Sequence, residues 1–158
     1  MRKIAAAFFV LFATTSFGAY AQVPEYGPSI TLEQAKKAVA AAQAEARKNN
    51  WPIAVAVVDT HGFLVAYEKM DNTQTGSVQI AIDKASSSAL YRRPTKAFQD
   101  AVAGGGAGLR ALNLRGASTV DGGLPIIVGG KIIGAVGVSG VNADQDAVVA
   151  KAGADSLN

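Results

Sequence analysis

No cysteine occurs anywhere in the 158 residues. Disulfide frameworks, thiolate metal sites and cysteine nucleophiles are excluded, so the fold must hold by packing alone. Histidine occurs once, as His61. A structural zinc site needs about four nitrogen or sulfur ligands, which one imidazole cannot supply. Methionine is confined to Met1 and Met70, and aromatic residues make up 7% of the chain, so any flat ligand has few rings to stack on. The longest early apolar stretch, Ile4 to Phe12, is too short to span a bilayer. Gly104-Gly105-Gly106-Ala107-Gly108 lacks both the Gly-Lys-Ser/Thr of a P-loop and the spacing of a dinucleotide fingerprint. Gly137-Val138-Ser139-Gly140 falls one residue short of G-x-S-x-G, so no Ser-His-Asp arrangement is readable. There is no internal repeat.

The first 21 residues have the form of a secretory leader. Arg2 and Lys3 give a positive start, the apolar stretch follows, and Ala19-Tyr20-Ala21 is an A-x-A-type cleavage site ahead of Gln22. Residues 22–158 are then expected to form one exported domain, periplasmic or secreted, with no membrane span after cleavage. Losing Arg2 and Lys3 leaves thirteen basic residues against twelve acidic ones. That near-neutral balance argues against nucleic acid as a partner.

Thr31 with Gln34 makes a capping box, and Leu32, Ala35, Val39, Ala42 and Ala46 fall on one helical stripe. Asn49-Asn50 and Pro52 end that helix. Ile53 to Val58 is a continuous apolar run, the pattern of a strand covered on both faces. Asp59-Thr60-His61-Gly62 turns the chain into a strand of period two, Phe63 to Met70. A helix is expected from about residue 76 to 92. Its core stripe would be Val78, Ile82, Ala85 and Ala89. Its second stripe, Ile80, Lys84, Ser87 and Tyr91, would face a ligand or partner. Pro94 breaks it, Thr95 caps a short helix to Ala103, and a loop covers 104–108. Residues 117–120 are expected as a short strand, residues 125–139 as a hairpin, and residues 144–157 as a final helix. Hairpins imply antiparallel pairing, so the expected class is α+β, an antiparallel sheet of about five strands flanked by helices.

The hairpin carries the most information. Gly129-Gly130 supplies the tight turn. Gly134 and Gly137 interrupt the second strand, where glycine marks a close approach by backbone or ligand. The strand ends on Ser139-Gly140 beside the start of a helix, a place where backbone N–H groups can meet an anion.

These segments resemble a family of haem-binding and haem-degrading proteins named for GlcG and HbpS. The glycine hairpin, Val55 to Ala66, Lys69-Met70-Asp71 and Ile80 to Ala85 each match in order, across roughly residues 30 to 155. Ser86-Ser87 stands where Thr-Ala is usual. The resemblance implies a profilin-like or PAS-like sheet, a homo-oligomer, and haem as cofactor. It also implies an alternative, an enzyme or binding protein acting on a small carboxylate.

The candidate site residues follow. His61 is either a haem-iron ligand or an exposed turn residue. Met70 is a ligand or core filler. Tyr67 and Tyr91 stack on a flat ligand or simply pack. Lys84 is partly desolvated and holds a carboxylate or serves as a base, or it snorkels over apolar surface. Arg92, at a helix end with Arg93 and Lys96, binds propionates or an organic acid, or complements the helix dipole. Ser139 contributes an anion contact. Asp59 caps the turn or orients His61. Asp144 and Asp146 read as helix-start residues.

Overall fold

The computed structural model describes residues 23–158; the expected leader, residues 1–21, lies outside them. Among the described residues, four helices and a 3₁₀ run accompany four strands. The order is α1 (Leu32–Lys48), β1 (Ala54–Val58), β2 (Leu64–Lys69), α2 (Ser77–Tyr91), α3 (Lys96–Ala103), the 3₁₀ run (Gly106–Asn113), β3 (Gly123–Val128), β4 (Lys131–Ser139) and α4 (Ala143–Asp155). The strands form one antiparallel sheet in the order β2-β1-β4-β3.

The alternation of side chains across the pleat divides the core into two layers. Val55 and Val57 of β1 join Val136 and Val138 of β4 under α1 and α4. Ala54, Ala56, Val58 and Ala135 face α2 through Ala81, Ala85 and Ala89. β1 is therefore buried along its whole length, as its unbroken apolar run requires. The expected capping box at Thr31 is present, with Gln34 N–H donating to Thr31 Oγ1 at 3.2 Å and Thr31 N–H donating to Gln34 Oε1 at 3.0 Å.

The glycine hairpin forms as its residues dictate. Gly129 and Gly130 both take positive φ, 57° and 76°. A Cβ on Gly137 would overlap the Ala81 carbonyl and the Ala85 N–H, so this glycine lets the α2 backbone rest directly on β4. A Cβ on Gly134 would collide with the Val58 carbonyl. Here the close approach is backbone against backbone.

Two elements depart from expectation. The sheet has four strands, because residues 117–120 do not pair. The outer edge of β3 is already engaged at Gly123, whose N–H donates to Thr95 Oγ1 and whose carbonyl accepts from Thr95 N–H. Pro125, further along that edge strand, has no N–H to offer. Segment 116–120 instead crosses the outside of α2, with Ser118 N–H donating to Ser87 Oγ at 2.9 Å. The loop expected at 104–108 passes into the 3₁₀ run, which packs on α3 where Gly108 meets the Ala101 carbonyl. No helix among the described residues is long and apolar enough to cross a membrane.

Candidate functional site

α2 has one face committed to the sheet and one left over. The committed face is wider than its stripe of alanines, since Lys84, Ser87 and Ser88 are buried as well. Of the stripe expected to meet a ligand, Lys84 and Ser87 are therefore internal, while Ile80 stays at the surface. The outward stripe is Ile80, Asp83, Ser86 and Leu90, and it lines a cleft of about 470 Å³. Segment 116–120 forms the opposite wall, pinned at its start by Tyr91 Oη donating to the Arg115 carbonyl at 2.8 Å. Ile80, Leu90 and Val120 stay 40–48% exposed, which leaves an apolar surface unpartnered along the cleft. Asp83, which accepts from Gln79 Nε2 at 2.8 Å, is the one charged residue in the lining.

His61 lies on the β1–β2 turn, whose next residue, Gly62, meets Ser86 and Leu90 of the cleft lining. Asp59 Oδ1 accepts the N–H groups of His61 and Phe63, at 2.8 and 3.0 Å, and so caps the β1–β2 turn. The turn docks on α2 through Ser86 Oγ, which donates to the Gly62 carbonyl at 3.0 Å, and through the Leu90 side chain, which sits against Gly62. Thr60 Oγ1 lies 3.2 Å from His61 Nδ1 and is tied in turn to Ser29 Oγ at 2.8 Å. The exposed imidazole keeps Nε2 without a hydrogen-bond partner among the described residues. Asp59 thus shapes the turn, while Thr60 is what touches the ring. Phe63, 72% exposed, extends the apolar surface beside it.

Arg92 lies at the Leu90 end of α2. It takes a left-handed conformation (φ 53°) just past α2, and its guanidinium sits 5.5 Å from the centre of the Tyr26 ring. Tyr26 Oη donates to the Ala89 carbonyl at 2.7 Å, which ties the lead-in segment to α2. Tyr91 packs edge-on against Phe98 at 5.1 Å. Tyr67 faces the α2 layer beside Ile82. Its hydroxyl is buried without a partner, and burial raises its pKa above the ordinary phenol value. Met70 is at the far end of β2, packed on the α1–α4 core. Roughly 20 Å of strand separates it from His61, so the two cannot meet one iron within a single chain.

Lys84 and Ser139 lie elsewhere, each in its own buried contact. Lys84 Nζ donates to Asp146 Oδ2 at 2.8 Å and to the Val138 carbonyl at 2.9 Å, with both side chains 3% exposed or less. The pair joins α2 to α4, helices on opposite faces of the sheet. Gly122 (φ 116°) makes room for it, since a Cβ there would lie 2.8 Å from Asp146 Cβ and 2.9 Å from Lys84 Nζ. Burial raises the Asp146 pKa, although Lys84 and the Val141 N–H both favour its charged form. The anion expected where β4 meets the last helix is thus Asp146's own carboxylate. Ser139 Oγ is buried on Ser77 Oγ at 3.0 Å, at the start of α2. Arg92 is at the other end of that 15-residue helix, about 22 Å away. Lys84, Arg92 and Ser139 do not share a site.

The residues that line the cleft, Asp83, Leu90 and segment 116–120, are the ones that reading the sequence missed. Their signal was present at Ile80, Asp83 and Leu90, a weak outward stripe hidden by apolar residues on both sides of the helix.

This architecture is that of the HbpS-like family of haem-degrading proteins, whose profile matches residues 30–155, and the chain belongs to that family. Protein GlcG of Escherichia coli K12 is 42% identical over 110 residues, covering 70% of this chain and 81% of GlcG. The crystal structure of a double mutant of HbpS from Streptomyces reticuli superposes with a TM-score of 0.76 at 28% identity, over 92% of this chain and 99% of that one. The crystal structure of PduOC in complex with haem superposes with a TM-score of 0.74 at 25% identity, over 82% and 96%.

Proposed function

We propose that this protein is an exported haem-binding domain and that the cleft along α2 receives the macrocycle. The observation that carries the reading is the lone imidazole, with Nε2 free, on the turn that Ser86 and Leu90, two lining residues of the apolar-walled cleft, hold against α2. The donor set fits. His61 offers a nitrogen ligand to iron. Ile80, Leu90 and Val120 offer apolar walls to a porphyrin face. Arg92, at the same end as His61, offers a guanidinium to the propionates, which Asp83 would repel from the Ile80 end. Bound haem would supply a redox-active iron; the chain's part is to hold, orient and shield it. Thr60, touching Nδ1, orients the ring.

The PduOC haem complex and the haem-degrading family description support this assignment. Export rests on the leader-like features of residues 1–21. Uptake, storage or sensing of haem outside the cytoplasm is the role that follows. Phe63 and Leu64, which follow the turn that carries His61, are exposed, and a second subunit would cover them.

Hemin titration of the leader-free protein tests the reading. A saturable, stoichiometric Soret shift is expected, and His61→Ala should change the band position or weaken binding at least tenfold. A linear, non-saturating response would overturn it.

A further inference from the structure

We propose that the pocket between α3 and the 3₁₀ run is a second site, separate from the α2 cleft, that binds small carboxylates with a short apolar tail. The pocket measures about 240 Å³. Its floor is apolar, from Phe98, Ala101 and Ala111 to Leu114. Its charged lining is only Arg93 and Arg110. No arginine among the described residues enters an ion pair, so both guanidiniums lack a counter-anion there. The acidic residue of α3, Asp100, pairs with Lys96 at 2.7 Å, and that pair lines a different groove, against α4. The positive potential of the pocket is therefore left uncancelled by neighbouring carboxylates.

Arg93 is held in place before any ligand arrives. Its Nε donates to the Tyr91 carbonyl at 3.1 Å, and its guanidinium lies 5.6 Å from the centre of the Phe98 ring. Both terminal nitrogens remain to donate. A planar fork fixed in this way loses little freedom on binding and matches a carboxylate in two-point geometry. The apolar floor selects for a tail over a bare anion. Its volume equals roughly eight water volumes, which bounds the ligand to a short chain. Gly108 is what permits the pocket's shape, because a Cβ there would overlap the Ala101 carbonyl and push the two helical segments apart.

The test is amide chemical-shift mapping of the full chain titrated with butyrate, with inorganic phosphate and butylammonium as controls. Saturable shifts at Phe98, Ala101, Gly108 and Arg110 are expected with butyrate, weaker shifts with phosphate, and none with butylammonium. Losing one charge-assisted contact costs about tenfold or more in affinity, so Arg93→Gln and Arg110→Gln should each weaken butyrate by that factor. Both side chains are exposed, and Arg110→Gln disturbs no hydrogen bond of the fold. Equal response to phosphate and butyrate, no local saturation at millimolar butyrate, or unchanged affinity in both variants would overturn the proposal. The hemin titration is unaffected by Arg110→Gln if the two sites are distinct; a lost Soret shift in that variant would instead make this pocket part of the haem site.

Discussion

Lys84→Met is the substitution with the most to say about this fold. Methionine keeps the length and most of the volume of the lysine and removes only its charge and donors. Asp146 would then be a carboxylate at 2% residue exposure, with the Val141 N–H as support but no cation. Stranding one member of a buried ion pair costs about 3–5 kcal/mol, a large share of the roughly 5–15 kcal/mol that stabilises a domain. At about 2–4 °C per kcal/mol for a chain of this size, Tm should fall by roughly 6–20 °C. The double variant Lys84→Met/Asp146→Asn removes both charges and should recover part of that loss, giving a coupling energy of opposite sign to the single costs. The pH dependence supplies an internal control. Burial raises the Asp146 pKa above its ordinary 3.8, so the folded chain holds that proton more tightly than the unfolded one. The stability this group contributes is complete below 3.8 and is lost as pH rises through the raised value. The penalty of Lys84→Met should accordingly shrink as pH falls from about 7 toward 4, as the stranded carboxylate takes up its proton. Urea denaturation at a series of pH values measures all of this. A single-variant cost below about 1 kcal/mol, the worth of an exposed pair, or strict additivity in the double variant, would refute the claim that the pair is buried and coupled.

Two further outcomes follow from the same layer of the structure. Tyr67→Phe removes a buried hydroxyl that has no partner and should stabilise the protein by up to about 1 kcal/mol in chemical denaturation; a loss of that size would show that the hydroxyl is satisfied in solution. Gly137→Ala places a methyl group on the Ala81 carbonyl and should cost about 3 kcal/mol or more, together with a weakened Soret response as α2 lifts from β4; unchanged thermal unfolding would contradict the contact.

How much of this was legible beforehand depended on whether the signal was local. The capping box at Thr31, the Gly129-Gly130 turn and the fully buried β1 run are set by nearest neighbours, and each formed where its residues indicated. The wide inner face of α2 was not legible. Lys84 and Ser87 look polar and therefore outward, but Asp146, 62 residues away, accepts a hydrogen bond from the Lys84 ammonium, and Ser87 Oγ accepts one from the Ser118 N–H of segment 116–120. A partner that distant leaves no mark on a helical stripe. The expected strand at 117–120 failed for a related reason. Its residues suit a strand, but the edge it would have joined is taken at Gly123 by Thr95.

The inner contacts of α2 bear directly on what its outer face can do. Ala81 and Ala85 against Gly137 bring the helix backbone onto the strand, and close-packed small residues have few alternative rotamers to sample. Lys84 locks the helix's rotation about its own axis, because its ammonium must meet both Asp146 and the Val138 carbonyl. The outward stripe from Ile80 to Leu90 is thereby held at a fixed angle to the turn that carries His61, and Ser86 bonds that turn directly. A ligand entering the cleft meets walls already in register with the imidazole, so little ordering cost is left for the binding step. On this argument the buried ion pair affects ligand affinity without touching ligand. Lys84→Met should loosen hemin binding even under conditions where the variant remains folded, whereas a change confined to the Arg93–Arg110 pocket should leave it untouched.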